Sequence, residues 1–112
     1  MYIILNNKKI NIKIAKTIKQ KLQGLQHKKD ITYGLLIPNC NHIHTFFVND
    51  NIDILFLDNR NSIIYKYQNM PPFRTIKLYE DNKKTSVLEL PKNTSNSLKI
   101  GDVLTFEDKH II

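Results

Sequence analysis

One cysteine and two histidines stand at two-residue steps in the middle of the chain, as Cys40, His42 and His44. In an extended strand, side chains at that spacing project from the same face. A thiolate and two imidazoles on one face could hold zinc or another borderline metal ion. Pro38 and Asn41, however, favour a loop at the start of this stretch. We therefore expect the protein to carry no metal and no cofactor.

Two polar side chains are expected on strands that are otherwise apolar. His44 begins a run whose next same-face residues are Phe46 and Val48, and Asp53 shares its strand face with Leu55. A buried carboxylate needs a hydrogen-bonding or charged partner, because an unpaired charge in the interior is costly. His44 and Asp53 could form an acid/base pair, or they could be a static brace between strands.

Arg74 is one of only two arginines in a chain that has 15 lysines. Since this chain uses lysine for most of its positive charges, an arginine here indicates a need for the planar guanidinium, which pairs bidentately with a carboxylate or phosphate. The side chain follows the stiff segment Pro71-Pro72. We consider two roles for it, an internal ion pair with Asp53 or Glu89 and an anchor for an anionic ligand.

The composition is that of one globular domain of 112 residues, with 41% hydrophobic and 24% charged residues. The single cysteine cannot form an intramolecular disulfide, which suits a reducing compartment. The apolar run at the start of the chain stops at Asn6, too short for a signal peptide or a membrane span. We therefore expect a cytoplasmic, monomeric domain over residues 1–112 with no transmembrane segment.

The net charge of +7 is concentrated in residues 1–29, which hold eight lysines and no acidic residue. These lysines lack the interleaved aromatic side chains on which nucleic-acid bases stack. A solvated basic face is the interpretation we favour, and nucleic acid is not expected as a partner. Weak contact of this basic segment with nucleic acid or an anionic membrane is the alternative.

Two kinds of hydrophobic periodicity divide the chain. Residues 2–14 predict a hairpin around Asn6-Asn7, and apolar residues at three- and four-residue steps then predict one helix over residues 16–26. From Asp30 onward, short apolar runs alternate with turn residues, which is typical of β structure. The runs are 33–37, 43–48, 52–57, 63–67, 73–79, 87–90 and 103–106. The predicted fold is mainly β (α+β), a compact β-barrel or sandwich with one packed α-helix.

Seven short motifs follow one another along the chain: Gly24-Leu25, Gly34-Leu35-Leu36-Ile37, Cys40 with Ile43-His44-Thr45-Phe46, Ile52-Asp53-Ile54-Leu55-Phe56-Leu57-Asp58, Pro71-Pro72-Phe73-Arg74, Leu88-Glu89-Leu90-Pro91 and Gly101-Asp102. In these motifs and their order, the chain resembles the domain of unknown function 192 family over residues 15–104. Val48, Phe73 and Asn93 stand where the family often has Met, Trp and Gly. The resemblance implies the same compact β fold with one packed helix, and it implies no assigned activity.

A non-catalytic β domain that binds a small anionic ligand or a protein partner is the function that these features favour. The candidate binding residues are His44, Asp53 and Arg74, together with Cys40 and Thr45. We expect Arg74 to hold the anion while His44 and Asp53 orient it by hydrogen bonds. The alternatives are an enzyme that uses Cys40, His44 and Asp53, and a protein whose basic N-terminal helix binds nucleic acid or an anionic membrane weakly.

Overall fold

The computed structural model describes residues 1–17, 20, 24–25, 31–45, 48–78 and 84–108. The strands in this part of the chain are β1 (Tyr2–Leu5), β2 (Lys8–Ile14), β3 (Gly34–Ile37), β4 (His42–His44), β5 (Ile52–Leu57), β6 (Ile63–Met70), β7 (Thr75–Lys77) and β8 (Ser86–Pro91). The prediction of a mainly β chain is thus confirmed.

Six of these strands form one sheet, in the order β1-β2-β3-β8-β5-β6, and β4 pairs with β7 in a separate ribbon. Neighbouring strands run antiparallel except β2 and β3, which are parallel. The large sheet curls into a half-barrel. A compact β-barrel or sandwich was predicted, and the structure shows a curled half-barrel sheet.

The central strands β5 and β8 are buried on both faces of the sheet, so the core lies in two layers. One layer contains Ile54 and Phe56 of β5, and the other contains Leu55 and Leu57. All six residues of β5 are buried, which explains why the sequence of this strand is a nearly continuous apolar run. Asp53 lies in this run and is buried as completely as its apolar neighbours.

Two turns of the large sheet use asparagine at positive φ. Asn6 and Asn7, with φ of 51° and 63°, connect β1 to β2, which confirms the hairpin predicted around these residues. Asn61 closes the β5–β6 turn with φ of 61°, and the Asp58 carboxylate accepts the backbone N–H of Ser62 across it. Asparagine tolerates this conformation better than most residues do.

The packed helix predicted over residues 16–26 is not supported, since no helix is among the elements that the described residues form. Of these residues, Gln20 alone has a helical conformation, and its carbonyl accepts the N–H of Gly24 at 3.0 Å. Residues 18–19, 21–23 and 26 lie outside the described residues. Thr17 and Gln20 exchange hydrogen bonds between side chain and backbone N–H, a pattern also seen at helix starts. Gly24 was expected inside the helix, but its φ of 50° is left-handed and incompatible with a helix interior.

The strand predicted over residues 103–106 is also wrong. Val103 bridges to Ser62 beside β6, whereas Glu107 bridges to Tyr2 of β1. The segment changes partner within a few residues, too quickly to form a ladder with either strand. No helix in the described ranges is long and apolar enough to cross a membrane.

Candidate functional site

Strands β4 and β7 form a short antiparallel ribbon with one apolar side and one polar side. Its register pairs His42 with Lys77, Ile43 with Ile76 and His44 with Thr75. Ile43 is buried and Ile76 packs against the same core layer, so this pair points inward. Because paired residues share a face and faces alternate along a strand, the other two pairs lie on the opposite face. There His42, Thr75 and Lys77 are exposed, whereas His44 is half-buried and its Nδ1 atom is buried. We call the outward surface of His42, His44, Thr75 and Lys77 the ribbon face.

Thr45 joins the end of β4 to the loop that precedes β7. Its side chain is 1% exposed. The Thr45 hydroxyl donates to the carbonyl of Pro71 at 2.8 Å and accepts the backbone N–H of Arg74 at 2.8 Å. The Thr45 N–H donates to the Arg74 carbonyl at 2.8 Å, and the Thr45 carbonyl accepts the N–H of Phe73 at 3.1 Å. One buried residue therefore holds the loop at several points. We call this set of hydrogen bonds the Thr45 clamp.

The clamp holds Phe73 in an unfavourable backbone conformation. Its φ is 64°, in the left-handed region that bulky side chains rarely adopt. The ring is nevertheless 64% exposed, so burial of the ring offsets little of this strain. Strained residues of this kind are held in place by their surroundings, and they concentrate at ligand clamps and active sites. Phe73 was not predicted as a functional residue, because nothing in its type or spacing signals a positive φ.

Arg74 is exposed at the end of the ribbon, next to the ribbon face. The structure records no ion pair between Arg74 and any other residue that it describes. The sequence around the ribbon is free of acid: residues 31–49 and 59–79 contain no Asp or Glu. Arginine, lysine and two histidines thus stand together without a carboxylate in either segment. Cationic side chains that lie together can attract anions.

The Asp53 carboxylate forms its hydrogen bonds in a different part of the molecule. One oxygen accepts the backbone N–H groups of Asn69 and Asn93, at 2.8 and 3.0 Å. The other accepts the N–H of Ser95 at 3.0 Å and its hydroxyl at 2.5 Å. A carboxylate has about four lone-pair positions, and these donors use them all. Asp53 therefore braces β5 against β6 and the turn after β8, and its oxygens have no lone pair left for His44 or Arg74.

Cys40, His42 and His44 do not come together as ligands. The Cys40 thiol donates to the backbone carbonyl of His42 at 3.2 Å, and His42 is exposed. Cys40 is half-buried and lines a shallow cavity of about 240 Å³ with Asn39, Asn41, Lys84 and Thr85. Among the described residues, no group of three His, Cys, Asp or Glu side chains could hold a metal ion. The predicted absence of a metal stays a prediction.

Glu89, predicted only as a possible ion-pair partner of Arg74, is buried on β8 at 2% exposure. Burial raises the pKa of its carboxyl group to about 7, and a hydrogen bond from the backbone N–H of Leu25 opposes that rise. In the described part of the chain, Glu89 Oε2 has no hydrogen-bond partner. The acid lies opposite Ile54 of β5 and Leu35 of β3, away from the ribbon face.

Two solved structures have a similar fold. A protein of unknown function from Novosphingobium aromaticivorans is 16% identical, with a TM-score of 0.72 over 94% of this chain and 82% of its own. A Sinorhizobium meliloti protein described as a "putative transcription regulator" is 20% identical, with a TM-score of 0.76 over 93% of this chain and 89% of its own. At these identities the likeness concerns the fold alone.

No curated protein sequence matches this chain. Residues 2–106 match the model of a family described as "Uncharacterized ACR", the domain of unknown function 192, or DUF192. This match covers nearly the whole chain and agrees with the order of motifs read from the sequence. The chain therefore belongs to the domain of unknown function 192 family.

Proposed function

We propose that this protein is a non-catalytic β domain that binds a small anionic ligand, a carboxylate or a phosphate, on the ribbon face and Arg74. The observation that carries the proposal is the Thr45 clamp, which fixes the backbone of Phe73 and of the exposed Arg74 next to the His44–Thr75 pair. A fixed backbone limits the positions that the guanidinium can reach, so less freedom is lost when it binds an anion.

Each side chain has a role that its chemistry supports. Arg74 would pair with the anion through two parallel N–H groups, and His44 with Thr75 would donate hydrogen bonds from the ribbon face. Lys77 would add a positive charge at the far end of the ribbon. Phe73 would present its ring to an apolar part of the ligand.

The geometry favours binding over the enzymatic alternative that uses Cys40, His44 and Asp53. The Asp53 carboxylate has all its lone pairs occupied by four donors, so it is not available as a general base. The Cys40 thiol donates to the backbone carbonyl of His42, a group that cannot act as the base that activates a nucleophile. A domain that binds its ligand without converting it needs neither group.

The experiment is a titration of isotope-labelled protein with inorganic phosphate, acetate, succinate and citrate at constant ionic strength, followed by amide NMR. We expect at least one of these anions to give saturable shifts confined to residues 42–45 and 73–77. Shifts spread over the exposed lysines of residues 8–16 would indicate non-specific charge screening and would overturn the proposal. The absence of saturable shifts with all four anions would also overturn it.

A further inference from the structure

Glu89 is a buried acid in the middle of the half-barrel, remote in sequence from the ribbon and not used by the proposed function. It pairs with Leu35 of β3 on one side and with Ile54 of β5 on the other, so all three side chains share a face of the sheet. That face is the core layer that contains Ile54 and Leu25. A carboxyl group in such a layer must be neutral or paired to avoid a large cost.

Its carboxyl group is held against the segment Gly24-Leu25. The backbone N–H of Leu25 donates to the group. A Cβ atom at Gly24 would lie 3.2 Å from Glu89 Oε1 and 3.3 Å from Oε2, so the carboxyl group packs directly on the Gly24 backbone. The φ of Gly24 is left-handed, and the side of this residue where a side chain would stand faces the acid.

The groups around Glu89 supply no described counter-charge. On β3 and β5 its neighbours are apolar, and on β6 the next residue in the row is Tyr67. In the covering segment Gly24 and Leu25 contact the acid, and Gln20 and Tyr33 line the cavity beside Gly24. The one cation in the same row is Lys13 of β2, which follows Leu35, and its Nζ lies 4.1 Å from the centroid of the Tyr33 ring. Burial without a paired cation is the cause of the raised pKa of Glu89.

Gly24 also forms part of the wall of a cavity of about 230 Å³. The other lining residues are Lys13, Ile14, Ala15, Gln20, Tyr33 and Leu35. The backbone that covers Glu89 on one side thus borders this cavity on the other. Movement of Gly24-Leu25 away from the acid would change the shape of the cavity.

We infer that Glu89 is a proton-controlled latch, which holds Gly24-Leu25 against the sheet while its carboxyl group is neutral and releases that segment when the group ionises. On ionisation the proton leaves to solvent, and the carboxylate has an oxygen without a described donor in an apolar layer. Hydrating that charge requires water to reach the layer, and Gly24-Leu25 is the cover that must move to admit it. Opening of the cavity wall therefore becomes more favourable as the pH rises above about 4.5, and the effect levels off above about 7.

Hydrogen exchange of the Leu25 amide measures the latch directly, with protection factors corrected for the intrinsic pH dependence of exchange. If the open state ionises with an ordinary glutamate pKa, opening should become about tenfold more favourable between about pH 6 and about pH 8. Glu89→Gln keeps the side-chain shape and an acceptor for the Leu25 N–H but does not titrate. The pH dependence should be lost in Glu89→Gln and retained in Asp108→Asn, which removes one exposed negative charge.

A pH dependence that is the same in wild type and Glu89→Gln would overturn the latch, as would its loss in Asp108→Asn. A second measurement does not depend on any variant folding. In wild-type protein, the carboxyl carbon of Glu89 should titrate by NMR with a midpoint near 7. A midpoint at the ordinary value of 4.5 would contradict the latch.

Discussion

The Thr45 hydroxyl accepts the backbone N–H of Arg74 at 2.8 Å, which ties the end of β4 to the loop that carries the exposed guanidinium. Replacing Thr45 with Val keeps the shape but leaves this N–H and the Pro71 carbonyl without their partner. We expect a loss of about 2 kcal/mol in the free energy of unfolding. Anion affinity should fall as well, because the loop is no longer fixed.

The control is Thr45→Ser, which retains the hydroxyl and should stay close to wild type in denaturant unfolding and in anion titration. Wild-type stability and wild-type affinity in the Val variant would contradict the clamp.

Relieving the backbone strain at Phe73 should raise the stability of the protein and lower its affinity for a ligand with an apolar group. Asparagine adopts positive φ more readily, so Phe73→Asn should raise the free energy of unfolding by about 1 kcal/mol. The same variant should bind less tightly to an anion that carries an apolar group, such as phenylacetate, and equally well to acetate. Thermal unfolding and parallel titrations measure both effects. A destabilised Phe73→Asn variant would refute the strain argument.

Asp53 should matter for stability and not for binding. Asparagine at this position places an NH₂ group opposite either the N–H groups of Asn69 and Asn93 or those of Ser95, and an NH₂ group cannot accept their hydrogen bonds. We expect Asp53→Asn to lower the free energy of unfolding by about 3 kcal/mol. Measured below its melting temperature, the variant should bind anions as wild type does. A loss of affinity without a loss of stability would place Asp53 in the ligand site instead.

Glu89 should make the protein less stable as the pH rises. In the folded state its pKa is about 7, against an ordinary value of 4.5, so between these values the folded protein holds a proton that the unfolded chain has released. The free energy of unfolding should therefore fall by about 3 kcal/mol as the pH rises from about 4.5 to about 7, and then level off. In Glu89→Gln this decrease should be absent, which urea unfolding at several pH values would show. An unchanged slope in that variant would mean that another group titrates.

Most of the fold was predicted from the turn-forming residues and from the periodicity of the apolar residues in the strands. The strand Ile52–Leu57 was predicted with its observed bounds, since turn-forming Asn and Asp residues flank a continuous apolar run. The partners of Asp53 were not predictable, because its donors are backbone groups 16 to 42 residues away in sequence. Their position depends on the register of three strands, which local patterns do not encode.

The candidate site was predicted in part for the same reason. Arg74 could be predicted as a site residue, because arginine is rare in a chain that mostly uses lysine. The Thr45 clamp pairs residues that are 26 and 29 positions apart, and only the packing of β4 beside β7 brings them together. The positive φ of Phe73 is imposed by that packing and runs against the residue's own preference.

The most direct test compares the two arginines of the chain in anion binding. Arg60 lies exposed in the β5–β6 turn, so Arg60→Lys is a matched control for Arg74→Lys. Both variants keep the charge, and both lose the bidentate guanidinium. For the anion that shows the tightest saturable binding at constant ionic strength, calorimetric titration should give an affinity about tenfold lower in Arg74→Lys. Arg60→Lys should bind within about twofold of wild type. Wild-type affinity in Arg74→Lys, or an equal loss in both variants, would contradict a ligand site at Arg74.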